Sequence, residues 1–116
     1  MNFLVKLVVS TLAVIITSFI LPGVEIKSAF TGVLVAAVLA LLNAVVKPLL
    51  IILTIPITLF TLGLFLLVIN AGIILLADKI VPGFSVNGFW SALFFSIIVA
   101  LVTAILENLS KKNEEK

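Results

Sequence analysis

Histidine, cysteine and arginine are all absent from this sequence, and charge of either sign is scarce. Without cysteine there is no disulfide framework, no lipobox and no thiolate metal site. Without histidine the commonest general base and the commonest metal ligand are missing together. The pI is near 9.2. With no arginine and no basic cluster outside the last six residues, it does not describe a nucleic-acid-binding face. Charged residues fill only 10% of the 116 positions, against roughly 25% in soluble domains. Their place is taken by hydrophobic residues, 64% of the chain, with a mean hydropathy of +1.51. In water such a chain would be coated in apolar side chains and would aggregate. In a bilayer the same surface faces the solvent it prefers. The composition therefore implies one integral membrane domain whose main partner is the lipid bilayer, with no nucleic-acid partner and no soluble-enzyme fold.

The breaks between apolar runs predict an all-α protein with four spans. The first runs from 3 to 21 and ends at Pro22-Gly23; the second runs from 28 to 46, before Lys47-Pro48. The last, 88–106, follows Pro82-Gly83. A helix rises about 1.5 Å per residue and the hydrocarbon core is about 30 Å thick, so each of these fits one crossing. Between Leu49 and Ala77 lie 29 uncharged residues, too long for one upright span and too short for two. The third span is placed at 62–77, preceded by an apolar connector, 49–61, that contains Pro56. Proline strains a helix interior, so the connector either continues the second helix with a kink, lies at the interface or dips in as a re-entrant segment. A charged cytoplasmic tail occupies 111–116. Residues 18–22 lack an A-x-A-like cleavage site, so the first span is expected to remain rather than to be removed as a signal peptide.

Sliding the chain by 60 positions brings Pro22-Gly23 onto Pro82-Gly83, Phe30 onto Trp90 and Lys47 onto Glu107. Small residues repeat in the same register. Ser28, Gly32, Ala36, Ala40 and Ala44 recur every four positions, as do Gly88, Ala92, Ser96, Ala100 and Ala104. Residues four apart share a helix face, and small-xxx-small faces allow backbones to approach closely in lipid. The pattern predicts a duplicated transmembrane hairpin, with the second and fourth helices crossing through these stripes. Its two halves are then parallel repeats about an axis along the membrane normal. Lysines are biased toward one side: Lys6, Lys47 and the tail lysines lie there, whereas Lys27 and Lys79 lie opposite beside Glu25 and Asp78. Both termini are therefore expected on the cytoplasmic side of the cytoplasmic membrane.

Few residues invite chemistry. Asn70 sits mid-span, where an amide either bonds across helices or lines a polar path. Asn43 and Thr103 occupy equivalent repeat positions and suggest similar roles. Lys47 and Glu107 stand at helix ends, where a long charged side chain reaches water. No nucleophile has a base beside it, and no acid pair lies deep in a span. No catalytic residue, cofactor or metal ligand is assigned. Phe84, Phe89 and Trp90 form either an interfacial aromatic belt or part of the bundle packing.

The run from Leu42 to Leu50 with Asn43, Lys47 and Pro48 resembles a known bacterial membrane family. So do the Thr-rich stretch 53–58, Thr61-Leu62-Gly63-Leu64-Phe65, Val68-Ile69-Asn70, Pro82-Gly83-Phe84 and Gly88-Phe89. That family is the four-span phage holin superfamily IV, or YvlD-like, group. The resemblance implies a short helical bundle in the cytoplasmic membrane, and its label suggests oligomers that permeabilise that membrane. It brings no catalytic residues. Three roles stay open: an envelope-associated membrane protein with a homo-oligomeric or membrane-protein partner, a holin-like pore former, and a small transporter or channel subunit.

Overall fold

The computed structural model describes residues 2–114, with side chains described as far as Ser110. The charges of the 111–116 tail lie outside those described side chains. Helix α1 (Phe3–Ile20) begins where the Asn2 side chain accepts the Val5 N–H, 2.8 Å away, and ends before Pro22. A three-residue strand, β1 (Val24–Ile26), follows. Helix α2 (Ala29–Leu53) opens on the Ser28 cap, whose hydroxyl accepts the Thr31 N–H, and runs through Pro48 without stopping. A short helix, α3 (Ile55–Phe60), carries Pro56 in its first turn, where the missing N–H costs nothing. Helix α4 (Phe65–Ile80), strand β2 (Phe84–Val86) and helix α5 (Phe89–Glu114) complete the chain.

The spans are helical, and the sequence did not anticipate the ribbon. β1 and β2 pair antiparallel, with Val24 opposite Val86, Glu25 opposite Ser85 and Ile26 opposite Phe84. Two backbone bonds extend the pairing reciprocally: Lys27 N–H donates to Gly83 O at 3.0 Å, and Asn87 N–H donates to Gly23 O at 2.7 Å. Gly23 and Gly83 both sit at positive φ, +94° and +88°. A side chain at Gly23 would also strike the Ser91 hydroxyl, and one at Gly83 would crowd Thr31. Glycine is thus required twice, by conformation and by space.

The connector expected at 49–61 is divided. Residues 49–53 extend α2, because the Pro48 ring removes one donor but the helix resumes beyond it. Thr54 then ends α2: its hydroxyl bonds Leu50 O at 2.7 Å, and its own N–H still reaches back to Leu50 O. After α3 the chain turns at Leu62, which adopts φ +57°, and Gly63. The third long apolar helix therefore begins at 65 and ends at 80, a few residues later than the span placed at 62–77. Helices α1, α2 and α5 are each long and apolar enough to cross a membrane. α4, with 16 residues, rises about 24 Å.

The four long helices form a ring. α1 packs on α2 and α5, and α4 packs on the same two, while the ribbon sits against α4, α1, α2 and α5 at one end. The core lies at this ribbon end and is lined by Val14, Val35, Ile74, Ala77, Phe84 and Phe95. Thr17 is fully buried and satisfied by its own helix, its hydroxyl donating to Ala13 O at 2.7 Å. Aromatic residues divide between two environments. Phe84 is buried against Phe95, centroids 5.6 Å apart, so it belongs to the packing. Phe89 and Trp90 point outward and meet edge to face.

Candidate functional site: a one-sided intramembrane cavity

The small-residue stripes do not meet as a direct crossing of α2 and α5. Each of these helices makes its main contacts with α1 and α4. At the ribbon end the stripes are packing residues: Gly32, Ala36 and Ala92 are buried, and a Cβ on Gly32 would lie 2.8 Å from the Ile15 side chain of α1. Gly88 has open space around its α-carbon and serves as the turn into α5, at φ +93°. Farther along, Ala40, Ala44, Ala100 and Ala104 are exposed. Together with Ser96 they line a cavity of about 690 Å³ inside the ring. The small side chains that permit close approach at one end leave an empty interior at the other, where no ribbon ties the helices together.

The cavity has three levels. Its floor is apolar, made by Val14, Leu39, Ile73, Ile74 and Val99. A polar belt follows, with Ser10 on α1, Asn43 on α2, Asn70 on α4 and Thr103 on α5, one from each long helix. At the mouth stand Lys6, Lys47 and Glu107. On α2 alone, Lys47 to Ala36 covers 11 steps, about 16 Å at about 1.5 Å per residue. That is close to one leaflet of a core about 30 Å thick. The ribbon lies beyond the floor, so the cavity opens at the end of the bundle that holds the start of α1 and the far ends of α2 and α5.

Sequence reasoning named Asn43 and Asn70 as interhelical glue or path residues; the structure places both on the cavity wall. No hydrogen bond among the described residues engages either amide, whereas Ser96 donates to Leu93 O at 2.8 Å. Among the described residues no fully buried side-chain nitrogen or oxygen lacks a partner, so these amides are open to the cavity rather than orphaned in packing. One more polar group, on a residue of the cavity lining, was missed. Proline at position 48 has no N–H, so the carbonyl of Ala44, four residues earlier, loses its helical donor. The Lys47-Pro48 pair could have signalled it, since a proline one turn past a cavity-lining residue frees that residue's carbonyl.

Similarity to known proteins follows the same extent. The family described as mycobacterial four-span phage holin, superfamily IV, matches residues 1–105. The chain belongs to this family. Two relatives match over most of the chain. An uncharacterised protein of Streptomyces coelicolor is 39% identical over 88% of this chain and 90% of its own length. The uncharacterised membrane protein YvlD of Bacillus subtilis is 36% identical over 93% of this chain and 96% of its own length. No solved structure matches. The family match spans α1, α2, α4, the ribbon and α5 as far as residue 105, and so takes in every cavity-lining residue named above except Glu107.

Proposed function

We propose that this chain is a resident, envelope-associated protein of the cytoplasmic membrane, built as a duplicated transmembrane hairpin with both termini cytoplasmic and holding a preformed one-sided cavity. Enzymatic chemistry has no part in this reading. The observation that carries it is the closed end: the antiparallel ribbon joins the two halves beneath a packed core. A cavity that stops at such a floor offers a place to bind, and a channel or transporter path would have to break that core.

The duplication is supported by equivalences at an offset of 60. Leu21 and Val81 end their helices with nearly the same dihedrals, and each N–H donates back at 2.9 Å, to Thr17 O and Ala77 O respectively. The sequence of buried and exposed positions over 11–20 is the same as over 71–80. The ribbon register is centred on Glu25 and Ser85, themselves 60 apart, as a two-fold axis along the membrane normal requires. The orientation is supported by the lysine bias, because Lys6 and Lys47 share the cavity mouth while Lys27 follows the ribbon strand.

The competing reading is a holin-like oligomer that opens the membrane, and titrated expression in a bacterial host separates the two. The expected result is tolerated accumulation, with the membrane potential reported by a dye unchanged and no leakage of a cytosolic enzyme. Abrupt depolarisation at a threshold amount, followed by lysis when a cell-wall hydrolase is co-expressed, would overturn the resident reading and establish the holin one.

A further inference from the structure

We propose that the cavity binds a single anionic phospholipid of the leaflet at its mouth, the phosphate held by Lys6 and Lys47 and one acyl chain seated on the apolar floor. The three levels of the cavity match the three chemical zones of such a lipid in order and in direction. Two ammonium groups stand at the mouth, with no ion pair among the described residues tying either to Glu107. A phosphodiester there meets two cationic donors against one carboxylate, so the mouth carries a net positive charge. Ammonium–phosphate hydrogen bonds are charge-assisted and stronger than neutral ones.

About 6 Å deeper, one helical turn in from Lys47 on α2 and from Lys6 on α1, lie Asn43 and Ser10. Asn70 and Thr103 complete the belt from the other two helices. Amide and hydroxyl donors at this depth suit the glycerol ester oxygens, which sit just below the phosphate in any bilayer lipid. Below the belt, Val14, Leu39, Ile73, Ile74 and Val99 offer hydrocarbon, and the Ser96 hydroxyl at that depth is already committed to Leu93 O. A soluble phosphate compound satisfies the mouth alone, and a lipid without a phosphate satisfies the belt and the floor but leaves the two ammonium groups without a partner. Only a lipid with a phosphate uses all three levels, and it enters in the orientation it already has in its leaflet. The volume of about 690 Å³ falls within the roughly 300–1,000 Å³ of ordinary ligand sites.

Native mass spectrometry of the detergent-purified protein tests the assignment. The probes are phosphatidylglycerol, a diacylglycerol with the same chains, and glycerol 3-phosphate. One phosphatidylglycerol per chain is expected to stay bound, neither displaced by glycerol 3-phosphate nor matched by diacylglycerol. Lys47→Gln and Lys6→Gln should each weaken retention about tenfold, the loss of one hydrogen bond to a charged group. Lys47→Arg, which keeps the charge and serves if Lys47→Gln does not fold, should retain the lipid, and Lys27→Gln beside the ribbon should behave as the parent. Equal retention of diacylglycerol would reduce the cavity to an apolar groove. Displacement by glycerol 3-phosphate would make it a soluble-phosphate site. Equal loss in Lys27→Gln, or none in Lys47→Gln and Lys6→Gln, would assign the effect to general surface charge; any of these overturns the proposal. None of them depends on whether the chain depolarises a cell, so this idea and the resident reading fail separately.

Discussion

The two ends of the bundle are built from the same four helices and the same four-residue spacing of small side chains, yet one is solid and the other hollow. At the ribbon end Ala36, Ala77 and Ala92 are at most 2% exposed. At the mouth Ala40, Ala44, Ala100 and Ala104 are exposed on the cavity wall. The difference comes from what bridges the helices. The ribbon fastens the loops after α1 and α4 to each other, and two large side chains, Phe84 and Phe95, fill the space beneath it. In lipid there is little hydrophobic force to collapse the unbridged end, because hydrocarbon already surrounds it. A small residue therefore permits contact without enforcing it, and only a fastener turns the permission into packing.

The largest effect that sharpens this comparison is expected at Phe95. It is fully buried, and Val35, 60 positions earlier, is fully buried as well. Phe95→Ala removes the filler from the solid end and leaves a void that only dispersion contacts had occupied. In water such a change costs about 3–5 kcal/mol. With lipid as the solvent, the packing part of that loss remains, about 2–3 kcal/mol. Phe95→Val, which copies the other half, should cost less than half as much. Unfolding in mixed detergent micelles measures both, and equal stability of Phe95→Ala and the parent would show that the ribbon end is not the solid one.

Next in size is a matched pair on one helix. Ala92 and Ala100 lie two turns apart on α5, on the same small-residue stripe. Ala92→Leu forces an isobutyl group into filled space and should destabilise by about 1–3 kcal/mol. Ala100→Leu projects into the cavity and should stay within about 0.5 kcal/mol of the parent. Ala40→Leu, its counterpart on α2, should behave in the same way. If Ala100→Leu proved as damaging as Ala92→Leu, the stripe would be a continuous helix–helix contact and the cavity a resting-state gap.

Much of the bundle was legible because membrane spans announce themselves by length and breaks. Pro22-Gly23 and Pro82-Gly83 mark helix ends, just after α1 and α4. The ribbon was not legible. Its strands have three residues each, too few for an alternating signature, and they pair across 60 positions of chain. A faint signal existed: Gly23-Val24-Glu25-Ile26 and Gly83-Phe84-Ser85-Val86 share a glycine followed by apolar, polar, apolar. Pro48 misled in the other direction, since a proline that usually ends a soluble helix is absorbed within α2. Asn43 and Asn70 stood out as polar in lipid, but no one-dimensional pattern distinguishes an amide that faces another helix from one that faces a void.

The smallest expected effect concerns the fastener itself, and it exploits a place where residues 60 apart differ in how they hold it. Asp78 is half-buried and accepts the Val86 N–H of β2 at 3.2 Å. Ser18, 60 positions earlier, instead donates to Ile15 O in its own helix at 2.6 Å, so β1 receives no matching strap. Losing one such bond costs about 1 kcal/mol, a factor of about 5 in an opening equilibrium. Asp78→Ser, which places here the residue type found at position 18, should therefore raise amide hydrogen exchange at Val86 about fivefold. Exchange at Ile26, the equivalent position on the other strand, should change less, because β1 never relied on the strap. Asp78→Asn keeps an acceptor oxygen and should fall between the two. If Val86 and Ile26 instead accelerated together, the ribbon would open as one cooperative unit, and the strap would stabilise the seal as a whole rather than one strand of it.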